Sequence, residues 1–526
     1  MKRYILLPLL ASAIMTQAQD TYINERITNN SSDVIGTARY VGMGGAMGAL
    51  GADMSVISWN PAGIGLYRKN DVALTFGGTW GKSAIDEESR GTGTFDQAGF
   101  VYNVPTGSMS CPYINFAFNY QKKINYNHNF YAINNNLGGL SQMFQVAELT
   151  DFSSYDDWKD GYQPNLANLA WDNGFFLDIP LGDGNNYRYW DSPAGRNGYV
   201  HHSEGSLQAF DFNISTNIQD QCFLGLTVGV DNMSYRAWSL YGENDLQYDE
   251  PSYDLSNDVR ISGYGVNVKL GTIIRPVADS PFRFGIAIET PTWYKLKNST
   301  LYGLFDYFYD TKTSLVESYL KYNLRSPWKF RFCAGSTIGT TFAWDVDYEY
   351  ATYGHENMGY PEEENNWGDT WGNVKDRDMN QLTRNTLRGT HTVRTGFEFK
   401  ATDALAFRLG YNFSSSAYKN NIGFDQYTIF DTDSWNSMNY ATSTNYMRMG
   451  NTNTLTLGAG YRYKKFYIDL AYKLRNQSAD FYAFDSSYTN STRFTEDYPE
   501  MTGMKLTPTD VDLTRHTITC TLGFKF

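Results

Sequence analysis

Gly42, Gly44, Gly45 and Gly48 crowd the stretch ARYVGMGGAMGALGADMSVISWNPAGIG, residues 38–65. Glycine-rich loops can cradle a phosphate, because bare backbone N–H groups close around it. The dinucleotide fingerprint G-x-G-x-x-G fails here: Met47 stands where the third glycine belongs, and no apolar strand precedes Gly42. No P-loop lysine follows. The remaining use of such a segment is close backbone packing in a confined space, where a missing Cβ and access to positive φ both help.

Other chemistry is sparse. Six histidines occur, and His201-His202 is the pair that could ligate iron, which makes a haem receptor one alternative. Adjacent histidines in a polar loop are more often solvated, and no C-x-x-C-H motif supports haem. No nucleophile or carboxylate pair lies near a histidine, so no catalytic residue, metal site or cofactor is expected. Cys111, Cys222, Cys333 and Cys520 form no C-x-x-C pair and read as isolated small apolar residues. A formal charge of −13 argues against a nucleic-acid partner.

These residues must be held by a scaffold outside the cytoplasm. MKRYILLPLLASAIMTQAQD has a basic start, a short apolar run from Tyr4 to Met15 and small residues before Gln19, so residues 1–18 read as a signal peptide. Mean hydropathy is −0.47, and no later run reaches the ~18 apolar residues of a membrane helix. Aromatics make up 16% of the chain, with 41 Tyr, 32 Phe and 12 Trp, which suits two interfacial girdles.

Alternation supplies the architecture. In TFAWDVDYEY (341–350), Phe342, Trp344, Val346, Tyr348 and Tyr350 face one way and Ala343, Asp345, Asp347 and Glu349 the other. LAFRLGYNF (405–413), TLTLGAGYRY (454–463) and FYIDLAYKL (466–474) repeat the pattern. Alternation alone fits a soluble sandwich as well as a barrel. The end of the chain, HTITCTLGFKF, alternates to a final Phe526 and resembles the insertion signal of outer-membrane barrels. The pattern predicts an all-β fold, a 14-stranded antiparallel transmembrane β-barrel over 70–526. Tight turns fall on one side and long loops on the other, the longest over 137–205; others are 239–258, 298–316 and 352–383. Asp345, Asp347, Glu349, Arg394, Glu398, Arg408, Arg462, Asp469 and Lys473 take inward parity.

Residues 19–69 precede the first strand, and their many apolar side chains make a tail dangling in water implausible. They read as a small N-terminal hatch, or plug, inside the lumen. Asn60-Pro61 fixes the turn that hands the chain to the wall.

The stretch 38–66, with Ser58-Trp59-Asn60-Pro61-Ala62-Gly63 at its end, resembles the FadL/TodX-type outer-membrane transporters of hydrophobic compounds. Their mark is a glycine- and alanine-rich hatch ending in a W-N-P-A-G-like motif before a fourteen-stranded barrel; some relatives are labelled hemin receptors. His391 to Phe413 is similar to the family's late hairpin. The resemblance implies passive uptake of a long-chain fatty acid or similar lipophilic ligand: capture by loops, a lumen pocket beside the hatch, and lateral release into lipid at a kinked third strand. Each CH₂ favours an apolar setting by ~0.8 kcal/mol, so sideways release keeps that stabilisation.

Two parts are assigned on this basis. Leu140, Met143, Phe144, Leu166, Leu169, Trp171, Phe175 and Phe176 of the longest loop are the candidate capture surface, or else two loop helices packing on each other. Gln121, Lys122 and Lys123, where the third strand's alternation lapses, are the candidate lateral gate. Expected partners are a hydrophobic small molecule or lipid and outer-membrane lipid, with no nucleic acid. The alternatives are a structural subunit of an outer-membrane secretion or barrel-assembly complex, which would have outer-membrane protein partners, and an outer-membrane enzyme.

Overall fold

The computed structural model describes residues 24–29, 33–81, 91–148, 165–173, 175, 177–178, 187–188, 193–277, 280–307, 311–312, 315–361, 373–419, 442–490 and 492–526. The signal-peptide assignment, 1–18, lies outside them.

Fourteen wall strands close into a cylinder. They are β1 (Asp71–Gly81), β2 (Thr92–Pro105), β3 (Tyr113–Asn125, resuming as His128–Asn134), β4 (Ala194–Ile218), β5 (Cys222–Asp245), β6 (Pro251–Ile274) and β7 (Arg283–Glu289, resuming as Trp293–Asp306). Then come β8 (Val316–Arg325, resuming as Lys329–Ile338), β9 (Phe342–Ala351), β10 (Thr390–Lys400), β11 (Leu405–Ser414), β12 (Tyr446–Tyr463), β13 (Phe466–Tyr482) and β14 (Arg515–Lys525). Each pairs antiparallel with the next, and β1 closes on β14 from Asp71 opposite Lys525 to Gly81 opposite Arg515. In the lower part of the wall, closure leaves no unpaired sheet edge among the described residues, the condition for placing strands in hydrocarbon. The short turns lie at one end; Gln219 and Asp220 both take positive φ between β4 and β5, as a tight two-residue hairpin requires.

Near those turns the wall is apolar outside and polar inside. On β5, Leu224, Leu226 and Val228 are exposed while Thr227 and Asp231 are buried. On β14, Ile518 and Leu522 point out and Thr517, Thr519 and Thr521 point in. Higher up, the polarity inverts. Met233, Tyr235 and Ala237 of β5 are buried and Ser234 and Arg236 exposed; Val259 and Ile261 of β6 are buried and Arg260 and Ser262 exposed. The lower belt matches lipid outside and water or partners inside, whereas the upper wall has the ordinary arrangement of a protein in water. This extension runs to Asp245 on β5, from Pro251 on β6 and to Asp306 on β7, inside the segments 239–258 and 298–316 that the sequence assigns to loops. Two further features depart from a simple alternation of strands and loops. Residues 384–389 begin no strand; Arg377–Thr386 is a helix, capped by the Asp376 carboxylate on Met379 N–H at 2.9 Å. Strands β7 and β8 are each broken, at Pro291 and Pro327, because proline cannot donate to a ladder. Thr292 N–H instead donates to Ser326 Oγ at 2.8 Å.

Candidate functional site

The chain between residues 33 and 66 runs inside the cylinder, and the wall is shaped to receive it. Thr37 accepts from Tyr40 N–H, starting the helix Ala38–Gly42. At Gly44 φ is +63°, and a Cβ there would stand 2.7 Å from Tyr411 N. Facing it, a Cβ on Gly410 of β11 would stand 2.1 Å from Gly44 N, so segment and wall touch backbone to backbone. Gly48 has no room either: its Cβ would meet Cys333 Sγ at 2.3 Å. Around it, two β9 carboxylates clamp a turn. Asp347 Oδ2 accepts from Met47 N–H (3.2 Å) and Gly48 N–H (3.0 Å), and Asp345 Oδ2 from Ala49 N–H (3.0 Å) and Leu50 N–H (2.8 Å). No phosphate is cradled here; the glycine-rich turn donates its N–H groups to the barrel.

Trp59 lies between two guanidiniums, with Arg394 Cζ 3.6 Å and Arg331 Cζ 4.5 Å from its ring centroid. Arg331 also donates to Trp59 O at 3.0 Å and to Glu349 at 2.6 Å. Asn60 accepts from Ala62 N–H and donates to Gly48 O at 2.9 Å, joining the two turns. Pro61 O accepts from Ser215 Oγ on β4 at 2.9 Å. Ala62 and Gly63 are buried beside Phe223 and Val56 respectively. Gly42 abuts Gly458 of β12, and Gly45 abuts Arg394 and Val34. Eight of the nine charges given inward parity are buried, and Arg462 is exposed near a short turn. The inward network also includes Lys269–Asp211 (2.7 Å) and Lys123–Asp231 (2.8 Å).

Above this segment, a short helix over 24–28 stands in the inverted, apolar part of the bore. Tyr126 Oη donates to Ile27 O at 2.7 Å, Tyr418 Oη to Glu25 at 3.1 Å, and Thr28 Oγ1 to Glu356 at 3.0 Å. Burial pushes the Glu356 carboxyl up to about 8; the Thr28 bond opposes this and the Glu25 charge adds to it. Burial raises Glu25 as well.

Beside this helix lies a pocket of about 70 Å³ lined by Arg26, Phe130, Tyr199, His201, Tyr235, Tyr446, Met447 and Phe481, among others. Phe481 stacks on Tyr199 at 4.5 Å and Phe130 on His201 at 4.8 Å. Among the described residues, Arg26 donates to Ser203 Oγ alone, at 3.4 Å, and His201 Nε2 is buried without a hydrogen-bond partner. Sequence reasoning singled out none of the aromatic walls, because they come from β3, β4, β5, β12 and β13. His201 and His202 face opposite sides of β4: His202 turns outward to Asn129. They cannot share one iron.

The candidate capture residues are not a surface. Leu140, Met143, Phe144, Leu166, Leu169 and Phe175 are buried with Phe484, Tyr488, Phe494 and Met501 in a cap over the long-loop end. Phe144 meets Phe494 at 5.4 Å, and Phe175 meets Tyr253 edge-on at 5.3 Å. Aromatic burial drives loop onto loop, the packing alternative. The side chains of Trp171 and Phe176 lie outside the described residues.

Gln121, Lys122 and Lys123 stand where the wall changes. The β2–β3 ladder ends with Gln97 opposite Gln121. Past it β3 pairs with β4 alone, and its register there shifts between Lys122 and Ile124. Among the described residues, the long Lys122–Asp96 ion pair, 3.9 Å, and the stacked rings of Phe95 and Tyr120, 5.5 Å apart, cross between β3 and β2 at this height. Gln121 itself reaches inward to Ile35 O.

No family model matches the sequence, and no curated protein matches it. Among solved structures the chain is similar to a FadL homologue of Pseudomonas aeruginosa, with a TM-score of 0.52 and 12% identity over 94% of this chain and 98% of that one. It is also similar to the toluene transporter TodX of P. putida (TM-score 0.48, 10% identity, 94% and 99% covered) and to the Ralstonia pickettii toluene transporter TbuX (0.45, 11%, 94% and 99%). With a closed fourteen-strand wall and an apolar outer belt, the chain shares the fold of that FadL homologue and is a barrel of the bacterial outer membrane.

Proposed function

We propose that this barrel carries hydrophobic molecules, fatty acids or compounds of similar amphipathic character, inward through the outer membrane. The carrying observation is the lumen pocket: aromatic and thioether walls, with the Arg26 cation held by one long bond and a His201 nitrogen without a partner among the described residues. Such a site suits an apolar chain or ring bearing one acceptor or anionic end. At about 70 Å³ it is well below the ~300 Å³ at which ligand pockets begin, so entry requires the 24–28 helix or the cap to shift. Residues 33–66 act as the hatch that closes the bore beneath it. Release runs sideways at the end of the β2–β3 ladder, beside Gln121, Lys122 and Lys123, because that is where hydrogen bonding between neighbouring strands stops.

The test is binding of radiolabelled oleate to purified protein in mild detergent. Wild type is expected to bind saturably, and Phe481→Trp, which fills the pocket, to lose binding at least tenfold while staying folded. Wild type that binds neither oleate nor monoaromatic compounds overturns the reading.

A further inference from the structure

The outside of the wall carries a feature that ligand passage does not use. Above the breaks at Pro291 and Pro327, a groove of about 1070 Å³ lies against β5 to β8. Five cations line it, Lys295, Lys297, Lys321, Arg325 and Lys375, and among the described residues no acidic side chain does. All five are exposed. Among the described residues, none has a carboxylate within ion-pair distance, whereas neighbouring Arg236 and Arg260 both engage Asp258, at 2.7 and 3.3 Å. Lys297 stands directly opposite Lys321 in the ladder. Like charges in that position repel, and a protein of formal charge −13 has acids enough to pair them. An anion supplied from outside resolves the repulsion.

The height of the groove says which anion. Trp293 and Tyr264 are exposed and each lies ten residues from the short-turn end of its strand, at Arg283 and Ile274. Ten residues at ~3.3 Å, tilted ~40°, rise about 25 Å, the height of the apolar belt of such barrels. The two rings therefore mark the upper interface. Arg325 pairs with Trp293, Lys295 with Tyr264, and Lys297 and Lys321 follow two residues higher. Lys295, Lys297, Lys321 and Arg325 thus stand at headgroup level, on the lipid-facing side, directly above an acyl-facing surface that includes Val266, Leu270, Ile286 and Ile288.

We propose that this groove binds the phosphate-bearing headgroup of an outer-leaflet glycolipid, whose acyl chains lie along β6 and β7 below. Phosphates bridge Lys297 and Lys321, Arg325 offers a planar fork, and Trp293 and Tyr264 pack against the sugar–acyl junction.

The test uses native mass spectrometry of the full chain in detergent with added diphosphorylated lipid A. Wild type is expected to retain it. Lys295→Gln/Lys297→Gln/Lys321→Gln/Arg325→Gln is expected to retain at least tenfold less, at about fivefold per cation near a surface. Retained heat-modifiability on gels shows that this variant still forms a barrel, and Lys464→Gln/Lys465→Gln at a short turn is expected to bind as wild type does. Dephosphorylated lipid A is expected not to distinguish wild type from the quadruple variant. Equal retention of lipid A by the two proteins overturns the proposal, including the case in which the acidic run Glu362, Glu363, Glu364 neutralises the lysines. Displacement of the lipid by inorganic phosphate at matched concentration also overturns it, by reassigning the groove to the free anion.

Discussion

Removing the Asp347 carboxylate should free the 47–50 turn without dismantling the barrel. Asp347→Ala strips acceptors from Met47 and Gly48 N–H, at 3.2 and 3.0 Å in a buried site. A bond to a charged partner contributes roughly 1.5–3 kcal/mol, and each orphaned buried N–H adds desolvation cost. Set against this, the mutation also removes a buried carboxylate whose Oδ1 has no partner and which faces Asp345. The lower end of the range is therefore the better guide, about 3 kcal/mol for the two bonds, or roughly 150-fold in the open population of the turn. Trp59 and Asn60, held by Arg331 and Thr272 O, keep the rest of the segment in place. The assay is hydrogen exchange read by mass spectrometry on peptides spanning 46–53. Asp347→Ala is expected to exchange about a hundredfold faster there, with wall peptides of β9 to β11 unchanged and Asp347→Asn, which keeps an acceptor, intermediate. Exchange within fivefold of wild type in 46–53 would refute the clamp as the element that holds this turn.

Three further outcomes are expected. Gly44→Ala places a methyl 2.7 Å from Tyr411 N at a φ of +63°; left-handed strain and overpacking together cost roughly 2–5 kcal/mol, visible as a lower midpoint of heat-modified gel migration. Glu356 titrates near 8 when folded and near 4.5 when free, so docking of the 24–28 helix is strongest below pH 4.5 and weakens as pH rises towards 8. Thiol labelling of Ile27→Cys is expected to rise across that window, and Glu356→Gln to flatten the profile, with Glu25 the facing carboxylate and Lys329 the facing cation. A disulfide in Asp96→Cys/Lys122→Cys, at the positions of the 3.9 Å ion pair, is expected to slow ligand uptake by whole cells and reduction to restore it; uptake indifferent to oxidation excludes this exit.

The barrel was legible because period-two alternation runs through most of each wall strand, and because Phe526 closes a strand whose Ile518 and Leu522 face out. The upper wall was not. Val259 and Ile261 alternate with Arg260 and Ser262 as clearly as any belt strand, but apolar side inward. Alternation gives the two faces and cannot say which one meets lipid. Pro291 and Pro327 mark the breaks, but the apolar pattern resumes on both sides of each, so alternation alone reads through them. The glycine-rich stretch advertised close packing, and it lies against Gly410, Gly458 and Cys333 of the wall. The pocket was invisible for a different reason. Phe130, Tyr199, Tyr446 and Phe481 are far apart in sequence and unremarkable singly, so only the closed register brings them together. Arg26 and His201 gain meaning only beside those rings.

A photoreactive fatty acid bearing a terminal diazirine measures most directly whether the lumen carries the ligand. Irradiated with the protein and mapped by peptide, it is expected to label Phe130, Tyr199, Tyr446, Met447 and Phe481, and to lose that labelling when unlabelled oleate competes. Labelling confined to outward-facing residues such as Leu224, Val266 and Leu522 would contradict passage through the bore.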